Sequence, residues 1–160
     1  MSPRGGDAPE TGEGRQLDHS CLQHSLGYQL AQANIPTRKV FIKHIGEPLQ
    51  LSTVEFTVLS LVANNADVTQ KQLSQALAVS APNITTLLDR LEQRQLLTRE
   101  RSEADRRAQH IRLTRKGAAL AHKAMRVSLT MELDVLRHLS DAERAILIEL
   151  LQKVARHRRV

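Results

Sequence analysis

Aromatic residues are almost absent from this sequence. Its 160 residues include two Phe, one Tyr and no Trp. A core must therefore be built from Leu, Ile, Val and Ala, and such a composition favours packed helices. The single cysteine, Cys21, excludes an intrachain disulfide and is typical of a protein of the reducing cytoplasm. No apolar run approaches membrane-spanning length, and none follows Arg4, so we expect neither a membrane anchor nor a secretory signal.

The motifs of common catalytic and metal sites are missing as well. The sequence contains no phosphate-binding loop, no nucleophile elbow and no pair of carboxylates in a plausible pocket. Its seven histidines are scattered, and His19 and His24 are five residues apart, a spacing that does not share a helix face. These absences predict a protein that is not an enzyme and that holds no metal or cofactor.

Basic residues are in excess and are concentrated in one segment. The formal net charge is +6 and the pI is about 10.1. Residues 90–116 hold nine Lys or Arg and four acids, a local excess of five that is most of the total. An excess of this kind suggests a nucleic acid or another anionic surface as partner, although a merely basic protein remains the alternative.

The chain divides by composition into four segments. Residues 1–16 are rich in Gly and Pro and predict a disordered tail, followed by segments 17–50, 51–115 and 116–160. A helical period runs from Leu17 to about Ile45, and Pro36 is expected to kink this helix or split it. Because the helix is apolar on two faces, a partner subunit is its natural cover.

Three capping boxes mark the starts of later helices, each with Ser or Thr followed three residues on by Glu or Gln. They begin at Ser52, Thr69 and Ser140 and predict helices over 53–64, 70–78 and 141–157. A further long helix is predicted from Lys116 to Leu139 by its apolar spacing.

Residues 70–91 have the pattern of a helix-turn-helix. Leu73, Leu77, Ile84, Leu88 and others repeat at the spacing of two packed helices. Ser80 would cap the second helix, and Pro82 is tolerated in its first turn. The residues then left exposed are small, uncharged or basic, as suits a helix in the major groove: Ala81, Asn83, Thr85, Thr86 and Arg90. Two packed helices of an ordinary bundle would show a similar pattern.

A β-hairpin follows and favours the DNA-binding interpretation. From Gln109 to Thr114 apolar and polar residues alternate, with Ile111 and Leu113 on one side, as in a half-buried strand. Residues 96–101 are its expected partner, and 102–108 form a charged tip. A helix-turn-helix followed by such a hairpin is a winged helix, whose arginines reach a minor groove or phosphates.

The stretch LLDRLEQRQLLTRERSEADRRAQHIRLTRKG, residues 87–117, resembles the signature of the MarR family of bacterial transcription regulators. The resemblance implies a mainly α fold: a winged helix-turn-helix with a small β-hairpin wing, plus N- and C-terminal dimerisation helices. It further implies a homodimer that binds a palindromic operator in double-stranded DNA, usually as a repressor. The two recognition helices would then lie in successive major grooves, roughly 34–36 Å apart.

The expected DNA contacts come from the helix-turn-helix and the wing. By resemblance, Arg106 and Arg107 are the wing's contacts, and Asp105 is expected to hold Arg107 or Arg101 in place by a charge-assisted bond. An exposed ion pair of little consequence is the alternative for Asp105. The full set of candidate DNA-binding residues is Thr69, Gln70, Lys71, Ser80, Pro82, Asn83, Thr85, Thr86, Arg90, Arg101, Arg106 and Arg107.

Family resemblance also implies an effector. If the first helix continues through Pro36, one of its faces carries a cation, a phenol and an imidazole. These groups would suit a small aromatic carboxylate of hydroxybenzoate, hydroxycinnamate or hydroxynicotinate type. The candidates are His19, His24, Tyr28 and Arg38. Interhelix salt bridges, or simple exposure to water, are the alternative for Arg38 and His24.

Two other functions stay open. Oxidation of Cys21 would make the protein a redox sensor, but no residue nearby other than His is able to lower the pKa of this thiol. A helical module that binds proteins and not DNA would explain the apolar helices, but it leaves the concentration of basic residues unexplained.

Overall fold

The structure, a computed structural model, describes residues 17–101 and 109–157. The chain divides into two compact units, residues 1–34 and residues 35–160. Within the described ranges the fold is mainly helical with a small antiparallel sheet, as the sequence predicted. The α-helices are α1 (Leu26–Phe41), α2 (Glu47–Leu49), α3 (Thr53–Ala63), α4 (Gln70–Leu77), α5 (Ala81–Gln93), α6 (Arg115–Ser128) and α7 (Asp141–Arg156). The strands are β1 (Val68–Thr69), β2 (Leu97–Arg101) and β3 (Gln109–Leu113).

The three capping boxes form as predicted. Ser52, Thr69 and Ser140 each accept a hydrogen bond from the backbone N–H three residues on, and the Glu or Gln side chain there accepts one in return. The helices that follow begin one residue after each cap and end within one residue of the predicted positions. In α7 these bonds from Ser140 lower the pKa of the Glu143 carboxyl below its usual value.

The first predicted helix is shorter than expected. Instead of starting at Leu17, α1 starts at Leu26, and residues 20–22 form a single 3₁₀ turn. The Asp18 carboxylate accepts hydrogen bonds from the Ser20 N–H and hydroxyl, and these local bonds compete with helix formation. They also lower the pKa of Asp18. Of the two outcomes expected at Pro36, a kink or a split, the split does not occur, since α1 passes through Pro36 and continues as a π-helical turn, Ile42–Gly46.

The predicted helix over residues 116–139 is likewise too long. α6 stops at Ser128, and residues 129–139 form a series of turns. The Ser128 hydroxyl donates to the Met125 carbonyl, and the N–H groups of Thr130 and Met131 both donate to the Val127 carbonyl. Such competing bonds end the regular helical ladder, although the apolar spacing of the sequence continues.

The core lies between the helix-turn-helix, the hairpin and the helices on either side, all within residues 35–160. Its fully buried side chains include Ile45, Val58, Leu59, Leu73, Ile84, Leu88, Leu91, Leu96 and Leu97. Phe41 and Phe56 add a tilted aromatic pair with ring centroids 5.7 Å apart. Aliphatic side chains thus build the core, as the scarcity of aromatic residues required. Within the described ranges no helix is long and apolar enough to cross a membrane.

Candidate nucleic-acid interface

Helices α4 and α5 form the predicted helix-turn-helix. The turn between them begins at Ala78, which has a left-handed backbone (φ 52°) and closes α4. The Ser74 hydroxyl donates to the Val79 carbonyl, and the Val79 N–H donates back to the Ser74 carbonyl. The predicted inward residues are buried or half-buried, with Ile84, Leu88 and Leu91 at 0% exposure. These contacts fix the angle at which α5 leaves the turn.

The outer side of α5 is exposed, as the sequence predicted. Ala81, Pro82, Asn83, Thr86 and Arg90 are exposed, whereas Thr85 is half-buried. Ser80 occupies the N-cap position, but its side chain makes no capping hydrogen bond. The Ser80 hydroxyl is therefore not used inside this helix start.

Two threonine hydroxyls of α5 are engaged inside the protein. The Thr86 hydroxyl donates to the Pro82 carbonyl (3.1 Å), and the Thr85 hydroxyl donates to the Ala81 carbonyl (2.9 Å). Thr85 also accepts a hydrogen bond from the Gln70 side-chain amide at 2.7 Å. Gln70 and Thr85, both candidate DNA contacts, are thus brought together, and their bond ties the start of α4 to α5.

The remaining candidates of α4 lie at its N-terminus. Thr69 is the N-cap, and its hydroxyl accepts from the Gln72 N–H. Lys71 is exposed and enters no ion pair within the described residues. Its charge is therefore available at the helix N-terminus, where backbone N–H groups also attract phosphate.

Strands β2 and β3 form the predicted antiparallel hairpin. Leu97 pairs with Leu113, Arg99 with Ile111 and Arg101 with Gln109. Ile111 is buried, Leu113 is half-buried and Arg112 is exposed, so the predicted alternation is correct. Arg101 is exposed at the end of β2, next to the tip. The tip itself, with Asp105, Arg106 and Arg107, lies outside the described residues.

The sequence did not predict the third strand. β1 pairs with β3, so that Val68 lies opposite Ile111 and Thr69 opposite His110. A two-residue strand has no periodicity of its own, and its pairing depends on a segment more than forty residues away. The pairing places the start of α4 directly beside the wing.

Arg99 joins the wing to the recognition helix. Its guanidinium is 2.6 Å from the Asp89 carboxylate and 3.3 Å from the Glu92 carboxylate, and it also contacts the Thr85 carbonyl (3.4 Å). Its side chain is only 21% exposed, and its Nε is buried without a partner in the described structure. Sequence reasoning counted Arg99 only as one charge of a basic segment. The structure gives it a positioning function instead.

A second ion pair fixes the C-terminal end of α5. The Glu55 carboxylate is buried, accepts the Ser52 N–H (2.7 Å) and lies 3.0 Å from the Arg94 guanidinium. Arg94 also donates to the Gln50 carbonyl at 2.7 Å. One carboxylate therefore completes the capping box of α3 and holds the C-terminal end of α5.

The effector candidates are only partly brought together. A hydrogen bond joins the His19 ring to the Tyr28 hydroxyl, and the two rings lie 5.9 Å apart. His24 is exposed in the turn before α1, and not on it. The predicted helical stripe is therefore wrong at His19 and His24. Arg38 is exposed in the C-terminal half of α1.

Cys21 and the histidines form no metal-binding cluster within the described residues. Cys21 is an exposed free thiol in the 3₁₀ turn. Among residues 17–101 and 109–157, no three His, Cys, Asp or Glu side chains lie close enough together to hold a metal ion.

The comparisons with known proteins identify the family. The sequence profile of the MarR family matches residues 49–108, which contain the helix-turn-helix and β2, the first strand of the hairpin. A protein of Thauera aromatica, described as a putative transcriptional regulatory protein for the hcr operon, is 27% identical over 92% of this chain and 89% of its own length.

Solved structures agree with the sequence comparison. The transcriptional repressor CouR bound to a 23-mer DNA duplex is 32% identical, with a TM-score of 0.79 over 88% of this chain and 99% of CouR. CouR bound to p-coumaroyl-CoA is 31% identical, with a TM-score of 0.78 over 89% and 99% of the two chains. These relatives are regulators and not enzymes, and the likeness covers most of each chain. The chain therefore belongs to the MarR family of transcription regulators.

Proposed function

We propose that the protein is a homodimeric repressor that binds a palindromic operator and is released from it by an aromatic acid or the coenzyme A thioester of one. The main support for this proposal is the exposed outer side of α5, which is followed in the chain by an antiparallel hairpin. The chain is also similar over most of its length to a repressor that is bound to a DNA duplex. Segment 51–115 is the proposed DNA-binding domain, and 17–50 and 116–160 are the proposed dimerisation segments. A repressor of this kind acts in the cytoplasm, where bacterial DNA lies.

The proposal that the protein binds DNA rests on residues that are exposed on α5 and at the end of β2. Asn83 and Arg90 are exposed on α5, and Arg101 is exposed at the end of β2. Arg90 and Arg101 form no ion pair within the described residues. An Asn amide can bind adenine, and an arginine can bind a phosphate or guanine. This arrangement suits a recognition helix flanked by a wing.

Fluorescence anisotropy with labelled DNA from upstream of the protein's own gene tests this binding. Replacing Arg106 and Arg107 by Ala should weaken binding and flatten the dependence of log K on log salt by about 0.9 for each phosphate that is no longer neutralised. Lys153→Ala is the control, because Lys153 pairs with Glu149 on α7. If the double variant keeps both its affinity and its salt slope, the wing does not bind DNA.

The dimer proposal rests on α7. This helix buries none of its residues within the described structure. Ile146, Leu147, Ile148, Leu150 and Val154 are all exposed to between 42% and 55%. An apolar surface of this extent is typical of a protein–protein interface. A second copy of the chain is its proposed cover, since a palindromic operator requires two identical readers.

The effector proposal rests on the pair His19–Tyr28, on Arg38 and on the relative that binds p-coumaroyl-CoA. An arginine binds a carboxylate or a phosphate, so a free aromatic acid and an aromatic thioester of coenzyme A both suit it. DNA release should be measured with hydroxybenzoate, hydroxycinnamate and hydroxynicotinate, with p-coumaroyl-CoA and with coenzyme A alone. Arg38→Gln should bind DNA normally and not respond to the effector. Release by peroxide alone, abolished by Cys21→Ser, would instead establish a redox sensor.

A further inference from the structure

The two threonines in the first two turns of α5 present no hydrogen-bond donor on the outer side of the helix, where the Asn83 amide is a donor. A threonine hydroxyl has one proton, and Thr85 and Thr86 each donate theirs to the carbonyl one turn back. Pro82 has no N–H group and carries an apolar ring. Neither threonine can therefore donate to a base while these bonds persist. While this bond persists, Thr86 can offer a base only its methyl group and the acceptor lone pairs of its hydroxyl.

Thr86 lies at the centre of the outward side. Ile84, Leu88 and Leu91 mark the buried side of α5. At 3.6 residues per turn, Thr86 lies opposite these three, as Pro82 does one turn earlier. Thr86 is exposed, whereas Thr85 lies toward one flank, half-buried and held by Gln70. Thr86 is therefore the threonine that meets the groove floor when α5 enters DNA.

The surface beside Thr86 includes an apolar part. Thr86 lines an open groove of about 350 Å³ together with Val54, Val79 and Leu87. Polar residues, Ser52, Asn83 and Arg90, complete the wall. A small apolar group of the DNA would fit here, next to polar residues that are able to contact the DNA backbone or the base edges.

Each base pair offers a different set of groups in the major groove. Guanine presents two acceptors, which need a donor from the protein, whereas thymine presents a 5-methyl group, which needs an apolar contact. We propose that Thr86 contacts the 5-methyl group of a thymine through its own methyl group, so that the operator has a T·A pair at this place in each half-site. The inference rests on the proposed function, since it assumes that α5 reads DNA.

Replacing thymine by uracil tests the contact, because this change removes only the 5-methyl group. An operator is first selected from a randomised duplex pool, and each thymine of the half-site is then changed in turn. At one position the wild-type protein should bind about fourfold more weakly, the effect expected for one buried methyl group. Substitution in both half-sites should weaken binding about fifteenfold, if the two free-energy effects are additive.

Two variants separate the methyl group from the hydroxyl. Thr86→Val keeps a methyl group in place and should still distinguish thymine from uracil, with affinity within about twofold of wild type. Thr86→Ser keeps the hydroxyl but removes the methyl group from both protomers of the dimer, so it should bind the thymine operator about fifteenfold more weakly, with no further weakening on uracil. Circular dichroism of both variants controls for folding.

The opposite pattern would overturn the proposal. If Thr86→Val binds more weakly while Thr86→Ser behaves as wild type, the hydroxyl reads the base. If no uracil substitution matters to the wild-type protein, Thr86 does not contact thymine, although the protein remains a DNA-binding regulator. If the pool yields no preferred sequence at all, the proposed function itself fails, and this inference fails with it.

Discussion

Gly117, the third residue of α6, lies against a backbone carbonyl. A Cβ added at Gly117 would be 1.8 Å from the Leu96 oxygen and 2.7 Å from the Leu96 carbonyl carbon. That carbonyl also accepts the Thr114 N–H at 3.1 Å, so it is fixed between β2 and the start of α6. Gly117 does not have a positive φ. The site therefore needs glycine for space, and not for an unusual backbone conformation.

Gly117→Ala should destabilise the fold by about 1–3 kcal/mol, the sum of three effects. Because real Cβ contacts are essentially never closer than 3.0 Å, the start of α6 would have to move away from Leu96. Overpacking of this kind costs about 1–3 kcal/mol, and breaking the Thr114–Leu96 hydrogen bond costs about 1 kcal/mol more. The higher helix propensity of Ala offsets about 1 kcal/mol of this cost.

Urea unfolding followed by far-UV circular dichroism measures this change, at one protein concentration because the proposed dimer makes stability depend on concentration. Gly46→Ala is the matched control. A Cβ at Gly46 would meet nothing closer than 3.5 Å, an ordinary contact, so this variant should be as stable as wild type or up to about 1 kcal/mol more stable. A Gly117→Ala protein as stable as wild type would refute the close approach of α6 to Leu96.

Three further changes test other parts of the structure. Arg94→Met leaves the buried Glu55 carboxylate without its cation and should lower the free energy of unfolding by about 2–3 kcal/mol. Adding Glu55→Gln to this variant should restore part of the lost stability in the same urea assay. If the double variant recovers no stability, the ion pair between Arg94 and Glu55 is contradicted. The pKa of Glu143 is lower in the folded protein than in the unfolded chain, where it is near 4.5. Glu143 therefore stabilises the fold at pH values above 4.5, and this stabilisation is lost as the pH falls through the folded-state pKa. Glu143→Gln should remove that pH dependence from the urea midpoints. Leu150→Glu should give a monomer in analytical ultracentrifugation, whereas an unchanged dimer would exclude α7 as its interface.

Local chemistry explains what could be predicted from the sequence. A capping box needs two side chains three residues apart, so its helix start can be located from a few letters, as at Ser52 and Ser140. The alternation from Gln109 to Leu113 is equally local. Helix ends were predicted less well, because Asp18 and Ser128 form short-range hydrogen bonds that apolar periodicity does not reveal. The outward side of α5 followed from its period, but the hydrogen bonds that engage its threonines did not.

The basic segment shows the limit of counting charges. Sequence reasoning treated the nine cations of residues 90–116 as one patch for DNA. In the structure Arg94 pairs with Glu55, Arg99 with Asp89 and Glu92, and Arg112 with Asp67 and Glu100. These partners could not be identified from the sequence, since most of the carboxylates are ten or more residues away.

These ion pairs limit the salt dependence that is expected for DNA binding. With three of the nine cations engaged inside the fold, at most six per protomer are left to neutralise phosphates. The salt slope contributed by this segment should then not exceed about 5 per protomer, at about 0.9 for each neutralised phosphate. Arg94 instead ties the C-terminal end of α5 to α3, and Arg99 ties β2 to α5, so both serve recognition through geometry. Removing either one should therefore weaken specific binding more than nonspecific binding, the reverse of what is expected for an arginine that only neutralises a phosphate.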